Sequence, residues 1–165
     1  MSSINFAAVI GAEPFEVWHQ LRQFGGIDKW HPDVRDCVIQ GGKVSGDGGS
    51  VRTLNLHNGE VVHERLLAID NNEMAMSYGL SSPRLLVENF SAHLQISPAA
   101  DGMNSAVTWK ARFDVGDQKA MANYESAIGE FILNGIQGLA DHLGATVQFA
   151  TDSRPQIAKA KCTTT

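Results

Sequence analysis

The chain has 165 residues, of which 43% are hydrophobic and 19% charged, and its formal net charge is −5 at pH 7. This length predicts one domain with a sizeable core, and the composition is ordinary for a globular protein. The acidic balance argues against a nucleic-acid surface, which needs clustered Lys and Arg. No apolar run reaches the roughly 18 residues that a membrane span requires.

Metal and cofactor motifs are absent from the sequence. It contains no CxxC, HExxH, Walker or GxGxxG pattern, so we expect no metal and no cofactor. Cys37 lies in a predicted strand and Cys162 in a polar tail, which favours two free thiols in a reducing compartment. The N-terminus lacks the basic segment of a secretion signal. We therefore expect a cytoplasmic protein.

The first third of the chain predicts a strand and two short helices. Residues 4–10 form an apolar strand candidate, and helical spacing of Phe15, Trp18 and Leu21 predicts an amphipathic helix over residues 14–23. Residues 27–30 follow as a short helix or turn. Pro32 then keeps His31 out of the helical conformation.

Six further strands are predicted from alternating apolar and polar residues. They cover residues 34–40, 51–57, 60–69, 73–80, 86–97 and 106–115. Asn58-Gly59 is the signature of a two-residue hairpin loop, and that loop would place Thr53 opposite Glu64. Arg52 would then lie outside, opposite Arg65, where like charges repel. The alternative is a bulge that turns Arg52 inward, where it would neutralise Glu64.

A long helix is predicted over residues 117–149, with a polar tail at residues 151–165. Gly135 and Gly138 weaken helix propensity, so they indicate close packing or a bend. The domain is expected to span residues 1–150. The order strand, two short helices, six strands and long helix predicts an α+β fold, a curved antiparallel sheet of about seven strands wrapped on the C-terminal helix. Such a sheet leaves a volume that side chains or a ligand must fill.

This order and several motifs resemble the helix-grip superfamily. Its members include polyketide cyclases and dehydrases, START lipid-transfer domains, the birch-pollen allergen (Bet v 1) type and the plant abscisic acid receptors. The motifs are AEPFEVWHQLRQFGGIDKWHP at residues 12–32, GGSVRTLNLHNG at 48–59, ERLLAID at 64–70, ENF at 88–90 and VTWKARFD at 107–114. The likeness is strongest to bacterial-type polyketide cyclase/dehydrase-like proteins. It implies a helix-grip fold with an internal cavity.

The resemblance to the abscisic acid receptors implies which residues of this chain line the cavity. The Glu before Arg-Leu is Glu64, and His31 follows the aromatic Trp30 where the receptors have a ligand-anchoring lysine. Further positions that the resemblance carries over are Tyr78, Leu80, Phe90, Trp109 and Phe131. The receptors' Ser-Gly-Leu-Pro-Ala gate is replaced by the hairpin at residues 56–59, which argues against hormone sensing by gate closure.

Three residues are candidates for chemistry. Glu64 lies between Val62 and Leu66 on an inward-facing set, so it is a structural partner of a neighbouring strand, or a ligand anchor or general base. A register shifted by one residue would instead turn Glu64 outward. His31 is either a loop histidine or a group that exchanges a proton near neutral pH. Tyr78 is pocket wall or a donor to a ligand oxygen.

The predicted ligand pocket is lined by apolar and aromatic side chains. They are Trp30, Val62, Met76, Leu80, Phe90, Trp109, Tyr124, Ile128 and Phe131. Plain core is the alternative for each. The expected partner is a small hydrophobic molecule, with a homodimer left open.

Two candidate functions use this pocket, and a third does not require a pocket. The first is a cofactor-independent cyclase, dehydratase or other lyase in which Glu64 removes a proton alpha to a carbonyl and His31 or Tyr78 polarises the oxygen. The second is a carrier or sensor that uses the same groups as anchors. The third is a co-chaperone-like domain with a filled cavity and an exposed apolar patch.

Overall fold

The structure is a computed structural model that describes residues 1–40, 49–81 and 87–150. The expected tail at residues 151–165, with Cys162, lies outside the described residues. The first residue of the motif at residues 48–59 and the first residue of the predicted strand 86–97 also lie outside the described residues. The domain boundary at residue 150 therefore stays a prediction. No helix in the described part of the chain is long and apolar enough to cross a membrane.

The elements follow the predicted order. The helices are α1 (Pro14–Leu21), a 3₁₀ helix (Phe24–Lys29) and α2 (Met121–His142). The strands are β1 (Ser2–Ile10), β2 (Val34–Ile39), β3 (Val51–Leu56), β4 (Val61–Asp70), β5 (Ala75–Leu80), β6 (Val87–Pro98), β7 (Ser105–Val115) and β8 (Val147–Phe149). They form one antiparallel sheet in the order β2-β3-β4-β5-β6-β7-β1-β8. The α+β helix-grip prediction is confirmed, including two short helices after the first strand.

The C-terminal region differs from the prediction of a helix over residues 117–149. Helix α2 ends near Leu143 because Gly144 takes a positive φ of 64°, the left-handed conformation that commonly terminates helices. The chain then turns back, and β8 pairs with β1 through Ala8↔Phe149 and Ile10↔Val147. The sheet therefore has eight strands rather than about seven.

The β3–β4 hairpin corrects the predicted register. Its loop has three residues, because Leu56 pairs with Glu60 and Gly59 takes a positive φ of 91°. A glycine in this conformation closes the common three-residue hairpin loop. Arg52 consequently faces Glu64, and Val51 faces Arg65. The prediction that Arg52 lies outside was wrong, and its alternative, an inward Arg52 beside Glu64, is what the structure shows.

Helix α2 packs closely against the loop that follows the 3₁₀ helix. A Cβ added at Gly135 would lie 2.8 Å from the Trp109 ring and 2.9 Å from the His31 ring. One added at Gly138 would lie 2.5 Å from Pro32 Cδ. All three distances are far inside van der Waals contact, so close packing is the reason for these glycines. The loop and the helix together form one side of the cavity described next.

Candidate functional site

A cavity of about 510 Å³ opens between the β3–β4 hairpin and helix α2. We call its buried lining the floor, which comprises Leu54, Leu56, Glu64 and Val87. Around its opening, which we call the rim, lie Pro32, Asp33, His57, Asn58, Glu60, Ala127, Glu130 and Asn134. Volumes of 300–1,000 Å³ are typical of small-molecule sites.

Glu64 of the floor forms an ion pair with Arg52, which does not line the cavity. Each is 4% exposed, and Arg52 Nη2 and Nε lie 2.8 and 2.9 Å from the same carboxylate oxygen, Oε1. Arg52 Nη1 donates to the carbonyl oxygen of Phe24 at 2.9 Å, and the guanidinium lies 3.9 Å from the centre of the Phe24 ring. Strand pairing brings the two residues opposite each other. The pair compensates a carboxylate charge that would be very costly to bury alone.

The second carboxylate oxygen of Glu64 is the polar feature of the floor. No described group donates a hydrogen bond to Oε2, and the side chain lines the cavity. An ionised carboxylate is an acceptor only. Glu64 can therefore receive a hydrogen bond from a donor placed in the cavity.

Tyr78 does not line this cavity. It is 2% exposed, and its hydroxyl oxygen accepts a hydrogen bond from Trp109 Nε1 at 3.0 Å. Burial, followed by the nearby charge of Glu64, raises the pKa of the Tyr78 hydroxyl. The Tyr78 hydroxyl therefore stays protonated, and the side chain is part of the aromatic core next to the Arg52–Glu64 ion pair.

His31 is also outside the lining and has both ring nitrogens occupied. Nε2 donates to the carbonyl oxygen of Phe131 at 2.8 Å, and Nδ1 accepts from the Asp33 backbone N–H at 3.1 Å. This arrangement requires the neutral ring. Burial lowers the pKa of His31 to about 4. The imidazole stacks on Phe131 with ring centres 4.0 Å apart. His31 therefore connects the loop after the 3₁₀ helix to α2.

The predicted pocket residues divide into two groups. Six of them line the cavity: Val62, Leu80, Phe90, Tyr124, Ile128 and Phe131. The other three, Trp30, Met76 and Trp109, are buried core side chains that do not reach it. Trp109 instead packs edge-on against both Trp30 and Phe131.

Several lining residues were absent from the sequence prediction. Leu54 and Leu56 were missed because the assumed hairpin register turned them outward. Their alternation with Thr53 and Asn55 was the signal that could have found them. On α2, Ala127 and Asn134 continue the helical line of Tyr124 and Phe131. Within the described ranges no group of three His, Cys, Asp or Glu side chains could hold a metal ion.

Comparisons with known proteins agree with this architecture. Residues 1–144 match the model of a family described as polyketide cyclase/dehydrase and lipid transport. No curated protein matches the sequence significantly.

Similar solved structures include a protein from Thermobifida fusca, with 26% identity, a TM-score of 0.76 and coverage of 87% of this chain and 94% of that chain. The protein XoxI from Bacillus cereus is 21% identical, with a TM-score of 0.73 and coverage of 86% and 94%. The ginseng major latex-like protein 151 from Panax ginseng is 18% identical, with a TM-score of 0.65 and coverage of 86% and 96%.

Proposed function

Because the chain belongs to the polyketide cyclase/dehydrase and lipid transport family, we propose that it binds a small, mostly apolar molecule in the cavity between the β3–β4 hairpin and α2. The observation that carries this proposal is the floor. There the buried residue Glu64 presents one carboxylate oxygen without a described donor among apolar side chains. Few polar groups in an apolar pocket are typical of sites that orient a ligand. Glu64 anchors the ligand by accepting its hydrogen bond.

The geometry favours binding over acid–base catalysis. A general acid or base must lie within hydrogen-bond reach of the reacting atom. Neither His31 nor Tyr78 lines the cavity, and the polar atoms of both rings already have protein partners. Arg52 compensates the charge of Glu64. The function that we propose first is therefore that of a carrier or sensor.

A cofactor-independent cyclase, dehydratase or other lyase is the second candidate. Glu64 Oε2 is the observation that favours it, since a carboxylate in a cavity can remove a proton alpha to a carbonyl. Tyr124 offers the only hydroxyl among the described residues of the lining. In this candidate the Tyr124 hydroxyl, rather than Tyr78 or His31, polarises the substrate oxygen.

Native mass spectrometry of freshly purified protein, followed by extraction of the bound compound, tests the proposal. We expect a small apolar molecule that carries a hydrogen-bond donor. Glu64→Gln keeps the size of the side chain and removes its charge, and should weaken retention of that molecule. Glu73→Gln is the matched control, because Glu73 is exposed on the β4–β5 turn. Recovery of no compound, with no binding of apolar probes, would contradict the proposal.

The recovered compound then separates the two candidates. It is incubated with wild-type protein and with Glu64→Gln, and product is followed by chromatography. A carrier returns the compound unchanged in both cases. A lyase converts it, and the substitution abolishes conversion even at saturating concentration.

We also propose a cytoplasmic location for the protein. Cys37 is a free thiol, and burial raises its pKa to about 11, so it is an unreactive thiol of the kind that reducing compartments retain.

A further inference from the structure

The loop that follows the 3₁₀ helix contacts two walls of the cavity, and Asp33 is the residue of that loop that binds both. Its carbonyl oxygen accepts a hydrogen bond from the backbone N–H of His57, on the β3–β4 hairpin, at 3.1 Å. Its carboxylate oxygen Oδ2 accepts a hydrogen bond from Asn134 Nδ2, on helix α2, at 3.0 Å. All three residues line the cavity. Asp33 therefore connects the hairpin to the helix.

The hairpin and the helix have no direct polar connection in the part of the chain that the structure describes. No hydrogen bond or ion pair there joins residues 51–70 to α2. The cavity lies between these two elements, so they cannot pack on each other where it separates them. Their relative position at the cavity therefore depends on the loop that binds both of them.

The same loop is attached to α2 at a second point. The Asp33 backbone N–H donates to His31 Nδ1 at 3.1 Å, and His31 Nε2 donates to the Phe131 carbonyl oxygen at 2.8 Å. Phe131 and Asn134 are three residues apart, so they lie on one face of the helix. The buried His31 ring fixes the loop on α2, and the half-buried Asp33 side chain extends this attachment towards the cavity.

We propose that Asp33 is a positioning residue of the ligand site, an inference that rests on the proposed binding function. Its carboxylate keeps α2 at the distance from the hairpin at which a ligand contacts both walls. Without the bond to Asn134 the helix can move away, and a bound ligand loses contacts with one wall. A ligand can enter while the bond is intact, because His57, Asn58 and Glu60 at the rim are exposed. Loss of the bond should therefore act on dissociation.

Asn134→Asp tests this role at an exposed position of α2. The substitution replaces the donating amide by a second carboxylate, which repels Asp33 instead of binding it. N-phenyl-1-naphthylamine, a neutral fluorescent dye, serves as the ligand, and stopped-flow fluorescence measures its association and dissociation rate constants. We expect dissociation to be about threefold to tenfold faster than in the wild type, as the loss of one hydrogen bond allows. The association rate constant should stay within about twofold.

The reversed pair, Asp33→Asn/Asn134→Asp, separates positioning from a general loss of structure. In this double variant the amide donates from the loop and the carboxylate accepts on the helix, so the bond forms in the opposite direction. Dissociation should return to within about twofold of the wild-type rate constant.

Asn104→Asp is the matched control. Asn104 Nδ2 donates to Asp101 Oδ2 at 2.8 Å on the β6–β7 turn, outside the cavity lining. The same substitution therefore makes the same change in net charge and breaks the same kind of bond away from the site, and it should leave both rate constants unchanged.

The other outcomes overturn the inference in different ways. Unchanged dissociation from Asn134→Asp refutes the positioning role but leaves ligand binding intact. Fast dissociation that the reversed pair does not restore shows that the Asp33–Asn134 bond is not the cause. An equal increase in both rate constants shows that the bond limits passage into the cavity instead of holding its walls. If the dye does not bind to the wild type, the proposed function fails together with this inference.

Discussion

Removing one partner of the Arg52–Glu64 pair leaves the other charge buried and uncompensated. We therefore expect Arg52→Met to lower the free energy of unfolding by about 3–5 kcal/mol, because truncating a buried ion pair has that cost. The double variant Arg52→Met/Glu64→Leu buries no charge, and we expect it to lose much less than the sum of the two single variants. Urea unfolding of the four proteins gives the coupling energy. Additive losses would show that the two side chains do not depend on each other.

A second residue-scale prediction concerns pH. The unfolded chain protonates His31 near pH 6.5, whereas burial lowers its pKa in the folded protein to about 4. Protonation would also set an Nδ1–H against the Asp33 N–H. The contribution of the neutral ring to stability is therefore complete above pH 6.5 and falls as pH drops towards 4. Between pH 7.5 and pH 5 this residue alone should lower the free energy of unfolding by about 2 kcal/mol.

Urea unfolding at pH 7.5 and pH 5 measures this loss. His31→Phe should have a smaller pH-dependent loss than the wild type, even though it is less stable at both values. His142→Gln is the matched control, because His142 is exposed at the end of α2. A loss that His142→Gln removes and His31→Phe retains would assign the titration to the wrong histidine.

At the scale of elements, Gly138 sets how closely α2 approaches the loop after the 3₁₀ helix. Ala has a higher helix propensity than Gly by about 1 kcal/mol, which alone would stabilise Gly138→Ala. The new methyl group would meet Pro32 Cδ at 2.5 Å and the Trp30 carbonyl, and neither is a flexible side-chain end. Overpacking of this kind costs about 1–3 kcal/mol, so we expect net destabilisation in thermal or urea unfolding.

Gly116→Ala provides the comparison for that variant. A Cβ at Gly116 would meet nothing within 4 Å, so this substitution should leave stability unchanged or slightly raised. If both variants behave alike, the approach of α2 is not limited by contact.

The hairpin shows how far elements could be predicted from sequence. Alternation and the Asn-Gly signal located β3 and β4, but Asn-Gly serves both the two-residue and the three-residue loop. The choice depends on which side chains the sheet must bury. The observed register buries Leu54 and Leu56, whereas the predicted register buries Thr53 and Asn55. Burial of apolar area outweighed the local turn preference.

The eighth strand and the helix end show a different limit. Strand β8 has three residues, too few for a period-2 pattern to be recognised. It exists because Gly144 ends α2 and directs the chain back to β1, where Gly11 N–H donates to the Thr146 carbonyl at 2.9 Å. Long elements were predictable from their periodicity, whereas short elements formed by tertiary pairing were not.

At the scale of the whole molecule, the candidate site was likewise predictable where it depends on one element and not where it depends on contacts between elements. The inward position of Glu64 followed from one strand. Whether His31 and Tyr78 reach the cavity depended on how α2 packs on the sheet. The Tyr78 hydroxyl is hydrogen-bonded to Trp109 on another strand, and the His31 ring is hydrogen-bonded to the Phe131 carbonyl oxygen on the helix. Such contacts join residues 31 to 100 positions apart, and local patterns carry no information about them.

The cavity itself links ligand binding to the stability of the whole fold. Its lining comes from the loop after the 3₁₀ helix, the β3–β4 hairpin, the facing ends of β5 and β6, and α2, so the unfolded chain has no equivalent site. A ligand at 100 times its dissociation constant should add about 2.7 kcal/mol to the free energy of unfolding. For a chain of this size, that corresponds to a rise of about 5–10 °C in Tm.

The measurement is thermal unfolding followed by circular dichroism with N-phenyl-1-naphthylamine as the ligand. Val62→Phe adds an aromatic ring to the lining and should remove most of the rise at the same dye concentration, because it fills volume that the dye needs. Val38→Phe is the matched substitution, on a residue that is 60% exposed on β2 and outside the lining, and it should retain the full rise. An equal rise in both variants would place the dye outside this cavity, because only one of the two substitutions reduces the space between the hairpin and the helix.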